Sequence, residues 1–249
     1  MMAYLRWIVN RAYGIFRTNI ANTEINIPPI HGPCLVLGSA PCPEMPAGFD
    51  RTWVFMTVNA SQSSVRSRDA QPDLTVMSDC MLADSPANMA AKDAIRNNKT
   101  GRLILIERGI TIADAKKTLQ ALNYSCDELM VMDHWQRSRV THRVLGEYVA
   151  AGCGGQKIST GVFAALLAYF LGADPVVLSG FSFSMDGHAY NTFRHKRNHI
   201  IVDQAALSLA RKKGLPFYAA ENRFSLESGL PEWKGRGPRI ESVEKPNAL

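Results

Sequence analysis

Few of the motifs that identify a chemistry at once occur in this sequence. There is no D-x-D, the carboxylate pair that usually clamps a divalent metal on a nucleotide-sugar. The first glycine turn, GSAPC at 38–42, lacks the G-x-G-x-x-G spacing of a dinucleotide site, and GCGGQK at 152–157 lacks the spacing and the GK[ST] ending of a phosphate loop. His195 and His199 stand at HxxxH spacing, but the zinc-protease glutamate is missing and Arg194, Lys196 and Arg197 crowd the pair. Metal binding there is therefore rejected. The five cysteines (34, 42, 80, 126 and 153) are odd in number, scattered and without a CxxC, which reads as reduced cytosolic thiols. Apolar runs are too short to span a membrane, and no small-residue cleavage site follows those near the N-terminus.

Acid is missing from another place. Residues 1–23 carry Arg6, Arg11 and Arg17 and no Asp or Glu, with Trp7, Tyr13 and Phe16 among the apolar residues between them. Either an amphipathic helix on anionic lipid or a helix packed on the domain with solvated arginines fits this pattern. The whole chain of 249 residues has a formal charge of +6, which favours an anionic partner. No aromatic-interleaved basic stripe or nucleic-acid module is present, so nucleic acid is not expected.

What is there reads as one α/β domain. Hydrophobic residues make up 46% and charged residues 20%, a balance that supports a sizeable core. Short β-rich runs fall at 34–37, 53–58, 74–77, 103–106, 129–132, 176–178 and 217–219. Helical patterns lie between several of them, clearest at 162–171 before Gly172 and at 202–213 before Gly214. This alternation predicts a mostly parallel, Rossmann-like sheet with helices on both faces. Ligands in such sheets sit beyond the strand carboxyl ends.

Small and polar residues follow four of the strands: Gly38-Ser39-Ala40-Pro41, Asn59-Ala60-Ser61, Ser78-Asp79 and Ser179-Gly180. Ordinary βα turns also use such residues, but four together offer reachable backbone amides to a ligand. Ser159 or Thr160 is an N-cap candidate for the helix running to Leu171. With Gly161 and Lys157 beside it, that helix start reads as a site for phosphate or carboxylate. A plain capped core helix fits the same segment.

The stretch KISTGV (157–162), then FLG (170–172) and VVLSG (176–180), continued by FSFSMDGHAY (181–190), resembles the bacterial sialyltransferases of glycosyltransferase family 42. LVLGSAP (35–41) resembles the first-strand turn of that family, FMTVNAS (55–61) its second-strand asparagine, and His199 with DQAAL (203–207) its histidine before a helix. The resemblance spans most of residues 34–233 and is weakest at 80–150. It implies a GT-A-like domain that uses no metal or other cofactor and transfers sialic acid from CMP-sialic acid to a surface glycan or glycolipid. It also implies that Gly38, Ser39, Ala40 and Pro41 line the cytidine and phosphate side and that Asn59 bonds the nucleotide. Lys157, Ser159, Thr160 and Gly161 then meet the donor, while Gly180, Phe181, Phe183 and Ala189 shelter it. Tyr190 is implied to bind the leaving phosphate and His199 to act as general base, with His188, His195 and Asp203 as secondary residues.

Three departures stand out. The family's first phosphate-binding tyrosine falls on Ser184, the first turn has Ser-Ala where Asn-Gly is usual, and the lid is short. A sister CMP-activated nonulosonate or Kdo donor fits equally. Counting back from Asp203, the base of the family falls on Asn198; a one-residue deletion restores His199, whereas His195 needs an insertion of three. An ATP- and magnesium-dependent enzyme akin to pterin diphosphokinases and an inactive sugar-nucleotide binder are the rival readings. The expected organisation is a basic segment at 1–30, a glycosyltransferase domain at 31–233 with its lid at about 182–199, and a basic tail at 234–249. The expected location is cytoplasmic, peripheral to the inner membrane if the N-terminal segment binds lipid.

Overall fold

A computed structural model describes residues 24–64, 71–106, 111–146, 157–190 and 199–235. Its centre is a seven-stranded sheet: β1 (Cys34–Leu37), β2 (Val54–Val58), β3 (Leu74–Ser78), β4 (Lys99–Ile106), β5 (Ser125–Met132), β6 (Val176–Ser179) and β7 (Phe217–Ala219). All neighbours pair in parallel, in the order β5-β4-β3-β2-β1-β6-β7. The chain thus builds outward from β1 to one side and then returns to place β6 on its other side. The point where strand order reverses, between β1 and β6, is where an open α/β sheet forms its ligand crevice.

Alternation along the strands sorts the core into two faces, as a two-residue period requires. Cys34, Val36, Met56, Val58, Val76, Ile104, Ile106, Val176 and Leu178 point to one face. There they meet α3 (His134–Leu145), α4 (Thr160–Phe170) and α5 (Ile200–Lys212). Met77, Leu103 and Leu105 point the other way, into a cluster with residues of α1 (Pro86–Ile95) and α2 (Ile112–Ala121). Further along that second face Leu35, Leu37, Phe55 and Val177 are roofed by loop aromatics, with Trp53 edge-on to Trp233. Helix α4 is the centre of the first layer. Its residues from Val162 to Ala168 are all buried, which explains an apolar run with almost no polar face.

Local sequence sets the boundaries. Ser159 caps α4 through its hydroxyl, which accepts from Val162 N–H at 3.2 Å, so Ser159 is the N-cap and Thr160 the first helical residue. Asp133 and Gln136 form a reciprocal capping box on α3. A shorter helix, α6 (Asn222–Ser228), ends at Gly229 in the left-handed region. Residues 24–30, assigned from sequence to the N-terminal segment, belong to the domain. Ile25 and Ile27 pack on the main cluster, and Ile30 N–H donates to the Leu171 carbonyl at 2.7 Å. At the other end Trp233 is buried, its indole N–H on the Ala47 carbonyl at 2.8 Å. Residues 1–23 and 236–249 lie outside the described residues. Among the described residues no helix is long and apolar enough to cross a membrane.

Candidate functional site

Register places the two glycine turns side by side. Leu37 pairs with Ser179, so Gly38 and Gly180 leave the sheet at one level. Gly38 N–H then donates to the Ser179 carbonyl and Ala40 N–H to the Gly180 carbonyl, both at 2.7 Å. The approach is so close that a Cβ on Gly38 would lie 2.5 Å from the Gly180 carbonyl oxygen, and one on Gly180 would lie 2.7 Å from that of Gly38. Gly180 also has φ +68°, where only glycine is unstrained. Both glycines are therefore required by the crevice itself.

The neighbouring elements close around this point. The ring of Phe181 is buried beneath it, and a Cβ on Gly161 would meet that ring at 2.9 Å. Phe181 thus floors the crevice and forces glycine at the second position of α4, while Phe183 stays half-buried at its side. The segment 187–190 folds back onto the first turn. Ala189 N–H donates to the Ser39 carbonyl at 2.9 Å, and the Ser39 hydroxyl lies 2.8 Å from His188 Nδ1. The His188 ring stacks flat on Tyr190, with centroids 5.0 Å apart and planes 3° from parallel. Tyr190 is in turn half-buried against the second cluster. An imidazole and a phenol are in this way held over the β1 turn.

On the β2 side Asn59 has φ +53°. Its side-chain oxygen accepts from Ser78 N–H at 2.9 Å, tying the ends of β2 and β3 together and leaving the amide N–H groups as its remaining donors. Ser61 plays a similar part, its hydroxyl donating to the Leu37 carbonyl at 2.6 Å while it accepts from Val58 N–H at 2.9 Å.

On the α4 side, Arg137 from α3 donates to the carbonyl of Ile158 and lies over the Phe163 ring at 5.0 Å. The buried Asp203 of α5 accepts from Ser159 N–H at 2.7 Å. His199 is the N-cap of α5, and its carbonyl accepts from Asp203 N–H at 2.9 Å. Asp203 therefore couples the start of α4 to the helix that begins at His199. Lys157 is exposed just before α4. His195 and the rest of 191–198 lie outside the described residues, as do Gly152–Gln156 of the glycine-rich run. Pro41 sits in the same β1 turn.

Three residues of this site were not expected from sequence. Glu221, just past β7, is buried, and its Oε1 accepts from Gly180 N–H at 2.7 Å and Glu44 N–H at 3.1 Å. The Ser179 hydroxyl shares its proton between Oε1 of Glu221 at 3.1 Å and the Glu44 carbonyl at 2.6 Å. Burial pushes the Glu221 carboxyl above its ordinary range, and these hydrogen bonds hold it back only in part. Glu227 of α6 accepts from the hydroxyls of Ser182 and Ser184 and from Phe183 N–H. Burial works against its charge, but the Ser184, Phe183 and Ser182 hydrogen bonds outweigh it and hold Glu227 below the usual carboxylate range. Phe224, between them, packs its ring 5.5 Å from both Phe181 and Phe183. Reading the residues past every strand would have found Glu221, since it follows β7 as Gly180 follows β6. Nothing in the sequence marks Phe224 or Glu227. Among the described residues no group of three His, Cys, Asp or Glu side chains could hold a metal ion.

Such a crevice, with paired glycine turns at a strand-order reversal and a capped helix start at its edge, is the arrangement in which open, parallel α/β sheets place their ligands. Solved structures narrow the fold further. The chain is similar to the monofunctional alpha-2,3-sialyltransferase Cst-I from Campylobacter jejuni, with TM-score 0.53 and 10% identity over 91% of this chain and 93% of that one. It is also similar to sialyltransferase CstII from Campylobacter jejuni in complex with the substrate analogue CMP-3FNeuAc, at TM-score 0.53 and 13% identity over 82% and 86%. A CST-II complex with a trisaccharide acceptor and CMP gives TM-score 0.52 and 13% identity over 82% and 87%. No protein-family model matches the chain, and no curated protein matches it. The chain shares the sialyltransferase fold, as the KISTGV and LSG segments led one to expect.

Proposed function

We propose that the protein is an inverting, metal-independent glycosyltransferase that moves sialic acid or a related acidic sugar from a CMP-sugar to a glycan or glycolipid acceptor. The observation that carries this reading is the interlocked pair of Gly38 and Gly180 at the strand-order reversal, with the start of α4 against Phe181 beside it and Tyr190 stacked on the His188 that meets Ser39 of the β1 turn. That the similar structures hold CMP, or CMP with an acceptor, supports the choice of nucleotide.

The chemistry needs few groups. As the acceptor oxygen bonds to the anomeric carbon, the bond from that carbon to the phosphate oxygen breaks and CMP leaves with the electron pair. The acceptor proton passes to an imidazole, the role given to His199, because a histidine titrates near the working pH. Tyr190 and the backbone amides at the start of α4 stabilise the charge growing on the phosphate, as oxyanion donors do. One displacement inverts the anomeric centre. His188 holds Ser39 and Tyr190 in place from the other side of the phosphate path. Binding at the cytoplasmic face of a membrane through the arginines of residues 1–23 would bring the enzyme to a lipid-linked acceptor of the lipopolysaccharide or capsule type in a bacterial cell.

Calorimetric titration with CMP, CTP and ATP, each with and without magnesium, tests the reading. CMP binding that is indifferent to magnesium supports it. ATP binding that appears only with magnesium overturns it in favour of a diphosphokinase-like enzyme.

A further inference from the structure

Glu221, Phe224 and Glu227 stand three residues apart on and just before α6, so they line one side of a short helix. All three meet the same partner, the segment that leaves β6. Glu221 accepts from Gly180 N–H at 2.7 Å and lies within hydrogen-bond reach of the Ser179 hydroxyl at 3.1 Å. Phe224, fully buried, is stacked at a tilt of 32° on Phe181 and edge-on, at 62°, to Phe183. Glu227 collects the Ser182 hydroxyl at 3.0 Å, the Phe183 N–H and the Ser184 hydroxyl. Ser182 Oγ in turn accepts from Ser184 N–H at 3.2 Å and Met185 N–H at 3.0 Å. Every residue from Ser179 to Ser184 is therefore engaged by α6, directly or through one intervening bond.

Helix capping does not account for this. Glu221 is the N-cap of α6, yet its side chain makes no capping hydrogen bond to its own helix. It is instead turned on the β6 turn and, through Glu44 N–H at 3.1 Å, on the loop that follows the β1 turn. One carboxylate thus touches both halves of the crevice. The second carboxylate fixes Ser184, the position where the resemblance places a tyrosine.

We infer that Glu221, Phe224 and Glu227 act as positioning residues, a splint that sets the Ser179–Ser184 turn in its nucleotide-binding shape before ligand arrives. The inference rests on the reading of the crevice as a CMP site. Preorganisation of this kind improves affinity by removing the ordering cost from the binding step. It acts on donor capture and leaves the transfer step alone, so losing it raises the donor KM while kcat at saturating donor holds.

The test uses the full chain and four splint variants, Glu221→Ala, Glu221→Gln, Glu227→Ala and Glu227→Gln, with Leu226→Ala as control. Leu226 lies on the same helix and is 78% exposed. CMP affinity is measured by calorimetry, and amide hydrogen exchange is followed at residues 176–185. The expected result is about tenfold weaker CMP binding in both alanine variants, the loss that goes with a hydrogen bond to a charged or buried group. Glu221→Gln recovers most of it, because it keeps an oxygen where Oε1 accepts, and Leu226→Ala matches the wild type. Amides at 180–185 exchange at least tenfold faster in the alanine variants, while those of β6 stay protected.

Should the wild type bind CMP and the alanine variants bind it equally well with unchanged exchange, the splint is refuted and the CMP reading stands. Should the wild type fail to bind CMP, that reading falls, and the exchange data still decide whether α6 holds the turn. Glu227 is only partly buried, so its variants fold even if Glu221→Ala does not.

Discussion

Substituting alanine for Gly38 perturbs the crevice at its narrowest point. The added methyl would sit 2.5 Å from the Gly180 carbonyl oxygen, about 0.9 Å inside the 3.4 Å at which ordinary contact begins, and 2.9 Å from the Phe181 ring. Neither neighbour yields cheaply. The carbonyl accepts from Ala40 N–H at 2.7 Å, and Phe181 is clamped between Gly161 and Phe224. Overpacking of a filled site costs about 1–3 kcal/mol, and in a domain of this size each kcal/mol lowers Tm by about 2–4 °C. Gly38→Ala is therefore expected to melt about 4–8 °C lower, taking about 2 kcal/mol as the central cost. Prising β1 and β6 apart at their ends also moves the ligand groups on both turns, so kcat/KM falls on the order of a hundredfold. Gly48→Ala is the comparison: its φ is +77° but nothing lies within 4 Å of the new methyl, so it loses about 1–2 kcal/mol to backbone strain and leaves CMP binding intact. Scanning calorimetry and donor titration read both effects. If Gly38→Ala binds CMP like the wild type, the crevice between the glycines is not the nucleotide site.

Four further outcomes are expected. Tyr190→Phe keeps the ring stacked on His188 and should fold normally, while turnover drops by about one to three orders of magnitude, measured as CMP release. His199→Ala should lower kcat with little change in CMP affinity; if kcat holds and His195→Ala loses it, the base is His195. Raising the pH should erode stability through Glu221. Its folded-state pKa lies above the unfolded one, so the folded state binds the extra proton and that stabilisation is lost as pH climbs through the raised value; urea unfolding of the wild type against Glu221→Gln isolates the effect, which Glu227, shifted the other way, does not mimic. A chain starting at Glu24 should lose flotation with anionic liposomes, because three arginines contribute about 1 kcal/mol each near such a surface, and equal flotation of both chains would remove the membrane role.

The sheet was largely legible from sequence because parallel strands buried on both faces are short, continuous apolar runs. All seven were found, with 34–37 and 217–219 bounded correctly. Strands β4 and β5 begin four residues earlier than their apolar cores, at Lys99 and Ser125, where the sequence is polar. Pairing of Lys99 with Ser125 extends the ladder there without burying both side chains, so apolar pattern carried no signal. The turns at 38–41 and 179–180 were legible for a different reason, since small residues after strands mark close backbone approach. The strand order was not. It depends on which strand pairs with β1 after the long excursion through β5, a choice made by packing of α4 beneath the sheet. The bond from Ser159 N–H to the Asp203 carboxylate joins residues 44 apart in sequence, so no local pattern announced it. Glu227 escaped notice for the same cause: its partners at 182–184 are brought to it only by the pairing of β6 with β7.

Incubation with CMP-sialic acid and a glycan acceptor in the presence of EDTA, followed by NMR, probes the central claim most directly. The account predicts that CMP is released in step with a glycoside of the opposite anomeric configuration, and that the rate is the same with chelator as with added magnesium. A CMP-sugar that is bound but not consumed, or a product of retained configuration, would contradict it.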